Sequence, residues 1–554
     1  MTRTRHTVLP PQTATMRARD GTALVADIWR PDTDVACPVL LMRQAYGRAI
    51  GTSLCYAPPE WYAAHGYIVV IQDVRGRGDS EGAFELFEHE AADGADTVRW
   101  AAGLPGANGR VGMFGFSFQG TNQLLALAEK LSELRAIAPA MIGWDLYSDW
   151  AYENGAFALR ANLGWATQLA AETARLAGDH DAQAALFAAS RALGFSGPRP
   201  AFPAHDALLA RYSHYARWRD TPADDPYWAA ISPAAHLDAI IANAPAVLLI
   251  GGWYDSHLTG TLAAYRALAP HMPTRLAVGP WTHFPWDRRV GGLDFGEAAM
   301  MPVDHAQLAF FDRWLKDTPG TTPERGVHLF DMGAKLWRDL ETLPDPTTSL
   351  CLDGRGRSAI DSRDGRLVFV PLAGDVVFDP PAGDIAERLT LDPWRPATPV
   401  GSTFGVPAGP IDRAASDARS DVLTFTTDPL TTPLLLAGAI TIDIAVDSAA
   451  PSFDLHAVLS RIDATGAVWP LAEGFATLAP GSATLPMRAT CCRLETGEAL
   501  RLSISPAAFP AFTVNPGTGQ PPWTASLADQ RVTVLHVRCR DSRLNLPIHP
   551  VAQE

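Results

Sequence analysis

Short apolar runs alternate with amphipathic stretches from Asp20 to about Leu134, a pattern typical of a parallel sheet with helices packed on its faces. The strand pattern resumes near residue 245, and the stretch Asp304–Lys316 has apolar residues at helical spacing. The candidate strands are Leu24–Trp29, Val39–Arg43, Tyr67–Asp73, Val111–Phe114, Pro245–Ile250 and Leu276–Val278. We therefore expect one α/β core built from residues 1–143 and 236–345.

The segment between these two parts, residues 144–235, is dense in Ala, Leu, Arg and aromatic residues. This composition favours helices, and Pro198, Pro200 and Pro203 are expected to interrupt them. The simplest interpretation is a helical cap inserted into the α/β core.

The last part of the chain, residues 346–554, has short β-rich runs separated by Gly, Pro and Asp turns. Examples are Val422–Thr426, Ile440–Val446, Leu500–Ile504 and Val532–Val537. Such spacing predicts a β-sandwich of the jelly-roll type.

Length and charge narrow the classes of function. A chain of 554 residues exceeds what one hydrophobic core supports, and its formal charge of −15 argues against nucleic acid and anionic lipid as partners. No stretch of about 18 apolar residues predicts a membrane span. The six cysteines show no C-x-x-C zinc pattern. We expect a cytoplasmic protein with reduced thiols and no metal, while the oligomeric state, a homo-oligomer included, stays open.

The strongest local motif is Gly115-Phe116-Ser117-Phe118-Gln119-Gly120, where an apolar strand runs into a serine flanked by glycines and then into a helix-compatible stretch. A nucleophile elbow needs small residues on both sides of the serine because its strained turn brings neighbouring backbone close. The motif is one residue longer than the usual G-x-S-x-G. It nevertheless predicts Ser117 as the nucleophile of an α/β-hydrolase core, against the alternative of a serine in an ordinary glycine turn.

A nucleophilic serine needs a histidine base and an acid that orients it, and in this fold they follow in the order Ser, Asp, His at strand ends. Asp255 follows the strand Pro245–Ile250, and His283 follows the strand Leu276–Val278. His257 is the nearest competitor among the fifteen histidines. We predict Asp255 and His283 as the partners of Ser117, and His257 as a residue lining the pocket.

The oxyanion of the tetrahedral intermediate needs two preorganised donors. One is the backbone N–H of the residue after the nucleophile, here Phe118. The second candidate is the phenol of Tyr46, just past the strand Val39–Arg43. Taken alone, a tyrosine in a loop is more often a packing residue.

Several motifs along the chain resemble those of the cocaine-esterase and X-Pro dipeptidyl-peptidase-like (CocE/NonD) hydrolases. They are Arg19-Asp20-Gly21, Gln72-Asp73-Val74-Arg75-Gly76-Arg77-Gly78, Gly251-Gly252-Trp253-Tyr254-Asp255, Arg419-Ser420-Asp421-Val422-Leu423 and Ser542-Arg543-Leu544. The resemblance implies an α/β-hydrolase core with an inserted helical cap and a C-terminal β jelly-roll domain, no cofactor, and Tyr46 as an oxyanion donor. Phe118, where the family usually has tyrosine, and Gln119 depart from the family pattern.

The predicted substrate is a small molecule with a hydrophobic or aromatic acyl group in a carboxylic ester. The pocket residues predicted from the sequence are Trp150, Trp165, Trp253, His257, Leu258 and Trp281. The alternatives are an amide-directed enzyme (an X-Pro dipeptidyl peptidase or a β-lactam or α-amino-acid ester acylase), an acyltransferase, and a non-catalytic binding protein. Enzymes that hold a substrate ammonium need acids in the pocket, for which Asp145, Asp149 and Glu153 are candidates.

The run Arg75-Gly76-Arg77-Gly78 could bind an anion. Because Asp73, Asp79 and Glu81 are close in sequence, we predict structural ion pairs for its arginines instead.

Overall fold

A central sheet of ten strands forms the first part of the molecule in the computed structural model, which describes residues 5–52, 55–196, 202–320, 323–369 and 386–549. The strands lie in the order β1-β2-β4-β3-β5-β6-β7-β8-β9-β10, and the run from β4 to β9 is parallel. They are β1 (Gln12–Arg17), β2 (Ala23–Trp29), β3 (Cys37–Gln44), β4 (Ile68–Asp73), β5 (Ala107–Phe116), β6 (Leu134–Ala140), β7 (Ala246–Gly252), β8 (Thr274–Gly279), β9 (Gly326–Asp331) and β10 (Leu336–Leu340).

The inner strands are continuous apolar runs because helices cover both faces of the sheet. Every residue of β3, β4, β7 and β8 is buried. The α-helices of the described residues are α1 (Pro59–Ala64), α2 (Glu90–Ala102), α3 (Phe118–Ala126), α4 (Leu159–Leu176), α5 (His180–Arg191), α6 (Asp206–Tyr212), α7 (Tyr215–Asp220), α8 (Pro226–Ile231), α9 (Leu237–Asn243), α10 (Leu258–Leu268), α11 (Val303–Lys316) and α12 (Ala414–Asp417). None of these helices is both long and apolar enough to span a membrane.

Helices α4 to α8 lie between β6 and β7, within the segment predicted to be helical. A π-helical turn at Tyr147–Ala151 and a two-residue hairpin of Tyr152–Glu153 with Ala156–Phe157 precede them. Pro203 pairs in a short β-ladder with Phe195, whereas Pro198 and Pro200 lie outside the described residues. The predicted boundaries of this segment, residues 144–235, stay a prediction.

The last part of the chain is β-rich. Its strands lie in the order β13-β20-β15-β21-β11-β12-β14-β19-β16-β17, and β18 and β22 also pair with β15. They are β11 (Thr348–Asp353), β12 (Arg366–Phe369), β13 (Glu387–Leu391), β14 (Leu423–Thr426), β15 (Leu434–Ser448), β16 (Phe453–Ile462), β17 (Val468–Leu478), β18 (Gly481–Leu494), β19 (Ala499–Ser505), β20 (Thr533–Val537), β21 (Arg543–Leu546) and β22 (Ile548–His549).

Candidate active site

Ser117 stands in a sharp turn between β5 and α3. Its backbone has φ 60° and ψ −126°, a strained conformation for a residue with a side chain. The two flanking glycines explain how the turn closes. A Cβ on Gly115 would lie 2.6 Å from the Cβ of Gln119, and one on Gly120 would lie 2.5 Å from Cγ2 of Ile142. The extra residue before Gly120 therefore leaves the elbow intact.

Three side chains form a continuous hydrogen-bonded chain at the carboxyl ends of β5, β7 and β8. Nε2 of His283 lies 3.0 Å from Oγ of Ser117. Nδ1 of the same ring lies 2.7 Å from Oδ1 of Asp255. These distances allow the imidazole to accept the serine proton while the carboxylate holds the ring in the required tautomer.

Asp255 is fully buried. Burial alone would raise the pKa of this carboxyl, but the charge and hydrogen bond of His283, with a smaller effect of His257, bring the pKa below its ordinary value. Asp255 therefore stays ionised and can stabilise the imidazolium that forms when His283 takes a proton.

His257 occupies a different place from the base. Its ring packs 4.0 Å from the ring of Trp150 and 4.9 Å from that of His283. Burial is the main cause that lowers the pKa of His257 to about 3, with a further contribution from His283, so the ring is neutral. It lines the cavity beside Ser117.

The two candidate oxyanion donors come from different parts of the chain. Phe118 is the first residue of α3, so its backbone N–H has no acceptor within the helix. Tyr46 lines the same cavity as Ser117, and its phenol oxygen accepts a hydrogen bond from Nε1 of Trp165 at 3.0 Å. Burial raises the pKa of Tyr46 to about 12, which keeps the phenol protonated and able to donate.

A cavity of about 340 Å³ opens at the serine. Its wall combines aromatic rings with a few amide and hydroxyl groups. The lining residues are Gln44, Tyr46, Ile50, Gly51, Cys55, Tyr56, Phe116, Ser117, Gln119, Trp150, Ala161, Trp165, Gln168, Ser256, His257, His283 and Phe284. The stacked rings of Trp150 and Trp165 have their centroids 5.1 Å apart. Both residues come from the segment between β6 and β7.

Three of the predicted pocket residues lie elsewhere. Trp253 and Trp281 are buried in the core, where their indole N–H groups donate to the carbonyl oxygens of Phe330 and Ala299. Leu258, the first residue of α10, is also fully buried in the hydrophobic core. Closeness in sequence to Asp255 and His283 was a poor guide, because these side chains are buried in the core and do not line the cavity.

The three acids considered as partners of a substrate ammonium bind other groups of the protein. Both carboxylate oxygens of Glu153 accept hydrogen bonds from Arg488, at 2.6 and 2.8 Å. Asp149 accepts from the backbone N–H groups of Trp144 and Asp145. Asp145 accepts from the backbone N–H of Tyr147. None of the three lines the cavity, so they do not supply the anionic subsite considered from the sequence.

Arg488, from the β-rich C-terminal part, is a contributor to the site that the sequence did not reveal. Besides Glu153 it donates to the carbonyl oxygen of Ser256 at 3.3 Å, next to Asp255. Nearby, the hydroxyl of Tyr254 donates to the carbonyl oxygen of Pro470. The residues directly before and after Asp255 are therefore both hydrogen-bonded to the C-terminal part of the chain. No motif in the sequence links positions so far apart.

Comparison with known proteins identifies the family of this chain. The X-Pro dipeptidyl-peptidase (S15 family) description matches residues 20–285, which include Ser117, Asp255 and His283, and the X-Pro dipeptidyl-peptidase C-terminal non-catalytic domain matches residues 319–545. The cocaine esterase of Rhodococcus sp. (strain MB1 Bresler) is 31% identical over 537 residues, covering 90% of this chain and 91% of that protein.

Two solved structures share the whole fold. An α-amino acid ester hydrolase superposes with a TM-score of 0.80 at 22% identity, covering 99% of this chain and 98% of the other. An aminopeptidase from a marine sediment Thaumarchaeota archaeon superposes with a TM-score of 0.78 at 20% identity, covering 97% and 96%. The chain therefore belongs to the CocE/NonD family of serine hydrolases, with an N-terminal catalytic domain and a β-rich C-terminal domain.

Proposed function

We propose that the protein hydrolyses carboxylic esters with a hydrophobic or aromatic acyl group, through an acyl-enzyme on Ser117. The observation that carries this proposal is the chain Ser117–His283–Asp255 opening directly onto an aromatic cavity whose wall contains no carboxylate side chain among the residues described. Helices α4 to α8 act as a cap that supplies Trp165, and the C-terminal domain is a jelly roll that supports the site.

In the first half of the reaction, His283 removes the proton of Ser117 as Oγ attacks the ester carbonyl. The N–H of Phe118 and the phenol of Tyr46 stabilise the negative oxygen that develops. His283 then donates its proton to the leaving alcohol, and the acyl group stays on Ser117. In the second half, His283 activates a water molecule that releases the carboxylic acid.

The wall of the cavity favours an apolar acyl group over an ammonium-bearing one. A substrate with a free α-ammonium loses its hydration when it enters the cavity. An ion pair with a carboxylate is needed to offset this desolvation cost. The cavity offers instead the amides of Gln44, Gln119 and Gln168 and the indoles of Trp150 and Trp165. Esters of aromatic or medium-length aliphatic acids match these surfaces, and dipeptide amides with a charged amino terminus do not.

The test compares p-nitrophenyl butyrate and p-nitrophenyl benzoate with Gly-Pro-p-nitroanilide, using the Ser117→Ala variant as control. We expect hydrolysis of both esters, no hydrolysis by Ser117→Ala with an unchanged circular dichroism spectrum, and labelling of Ser117 by a fluorophosphonate probe. A higher kcat/KM for the dipeptide anilide than for either ester would contradict the proposal. Labelling at a serine other than Ser117 would contradict the assigned nucleophile.

A further inference from the structure

Arg77 is a buried cation outside the active site. Only 1% of its surface is exposed, and its guanidinium stacks 3.7 Å above the ring of Phe84. Nη1 lies 3.3 Å from the carbonyl oxygen of Leu169, but Nε and Nη2 have no hydrogen-bond partner in the described part of the chain. Burial lowers the pKa of Arg77 to about 10, so the side chain is still charged at neutral pH.

The prediction of ion pairs for the arginines of the run 75–78 is right for Arg75 and wrong for Arg77. Arg75 pairs with Asp20 and Asp93. The acids nearby in sequence are also engaged, because Arg48 binds Asp73 and Asp79. Within the described ranges Arg77 has no ion pair, and the charge of Glu172, which pairs with Arg175, acts on it only from a greater distance. A buried charge without a direct partner is costly.

A second cavity borders the Arg77 side chain. It has a volume of about 190 Å³ and is lined by Arg77 and Phe84, by the exposed residues Arg211 and Arg217 of α6 and α7, and by His214 between these helices. Burial lowers the pKa of His214 to about 3, with a smaller effect of Arg77, and its Nε2 has no hydrogen-bond partner. Glu85 and Glu88 also line the cavity, but Glu88 pairs with Arg217 and Glu85 pairs with His89.

We propose that this cavity binds the carboxylate of a small organic acid on the Nε and Nη2 edge of Arg77. These two nitrogens form the planar fork that matches the two oxygens of a carboxylate. His214, as a neutral ring, supplies a further N–H donor when its proton is on Nε2. The volume holds an acid of a few carbon atoms, with Phe84 and Leu169 beside its apolar part.

This site adjoins the active site without being part of it. The ring of His214 packs 5.3 Å from the ring of Trp165, which donates to Tyr46. Leu169, whose carbonyl oxygen faces Arg77, lies one helical turn after Trp165 on α4. A carboxylate bound to Arg77 would neutralise a positive charge that acts on the phenol of Tyr46.

The first experiment measures thermal unfolding of the full chain in sodium acetate and in sodium chloride at equal ionic strength and pH. We expect acetate to raise the Tm saturably, by about 2–4 °C, and chloride to raise it less. The Arg77→Met variant is expected to lose the acetate response. Arg363→Gln, which changes an exposed arginine of the C-terminal domain outside this cavity, is expected to keep it.

An acetate response that persists in Arg77→Met, or an equal response to chloride, would overturn the proposal. Because Arg77→Met could fail to fold, crystals of the unaltered protein soaked in 3-bromopropionate provide a second measurement. A bromine anomalous peak in the cavity lined by Arg77 and His214 is expected, and its absence would also overturn the proposal. None of these measurements uses ester hydrolysis, so their outcome is independent of the proposed catalytic function.

Discussion

The indole N–H of Trp165 donates to the phenol oxygen of Tyr46 at 3.0 Å, so a residue of α4 orients the proposed oxyanion donor. The phenol oxygen accepts this hydrogen bond, which leaves the phenol hydrogen available for another acceptor, and Tyr46 lines the cavity at Ser117. Trp165 is therefore a wall of the cavity and a positioning residue for Tyr46.

Replacing the donor itself should affect catalysis most. We expect Tyr46→Phe to lower kcat by about 10²–10³-fold with a small change in KM, because the phenol acts on the transition state more than on the bound ester. Steady-state kinetics with p-nitrophenyl butyrate measure this split. A Tyr46→Phe enzyme with the kcat of the unaltered protein would show that Tyr46 is a packing residue.

Trp165→Phe keeps an aromatic wall but removes the indole N–H. We expect kcat to fall by roughly tenfold, less than for Tyr46→Phe, because the phenol is still present but less well oriented. Trp150→Phe is the matched control, since Trp150 stacks on Trp165 in the same cavity without binding Tyr46. Equal losses of kcat in the two variants would argue that Trp165 acts only through packing.

Gly120 should tolerate no side chain. A Cβ there would meet Cγ2 of Ile142 at 2.5 Å and the carbonyl oxygen of Ala140 at 2.9 Å. Gly120→Ala should therefore lower the free energy of unfolding by about 1–3 kcal/mol and displace Ser117, reducing labelling by a fluorophosphonate. Gly103→Ala is the control, because its nearest neighbour would lie at 3.6 Å; chemical denaturation of both variants gives the comparison.

Arg488 should couple the C-terminal domain to catalysis. Removing its charge in Arg488→Met leaves the mostly buried Glu153 unpaired, so we expect a loss of about 3 kcal/mol of stability together with a loss of activity. The double variant Glu153→Gln/Arg488→Met should recover part of the stability. Arg538→Met breaks a more exposed pair with Asp447 and should change stability by less than about 1 kcal/mol. No difference between Arg488→Met and Arg538→Met would refute the coupling.

Asp454 should make stability depend on pH. Burial raises the pKa of this carboxyl to about 6, although Thr477 and Asn515 donate hydrogen bonds to it. Because its pKa is higher in the folded than in the unfolded protein, Asp454 contributes to the free energy of unfolding in its protonated form. This contribution is fully present below about pH 4 and is lost as the pH rises through 6. Asp454→Asn, which is neutral throughout, should therefore gain stability relative to the unaltered protein between pH 4 and 7, by up to about 3 kcal/mol.

Asp443→Asn is the matched control for that measurement. Asp443 also accepts hydrogen bonds from a threonine and an asparagine, Thr484 and Asn545. Unlike Asp454, it is only half-buried. Unfolding of each variant is followed across the pH range. If the two variants shift with pH in parallel, Asp454 is not the titrating group.

The parallel core was predictable because its strands are buried on both faces and so read as unbroken apolar runs; β4 and β7 agree with their predicted strands within two residues at each end. The elbow at Ser117 was predictable because local backbone geometry demands small residues at set positions. Trp253 and Trp281 were placed wrongly because the direction of a side chain from a loop depends on tertiary packing. Arg488 was missed since its contact with Glu153 joins residues that no local pattern connects.

The hydrogen bonds of Arg488 and Pro470 to the loop of Asp255 also have a consequence for biosynthesis. A ribosome releases the catalytic domain first, and that domain can begin to fold while the last third of the chain is still being made. The loop of Asp255 meets these two contacts only after residue 488 has emerged and the C-terminal strands have docked. We therefore expect the nascent chain to lack full ester hydrolase activity. That activity begins only when the complete protein has folded.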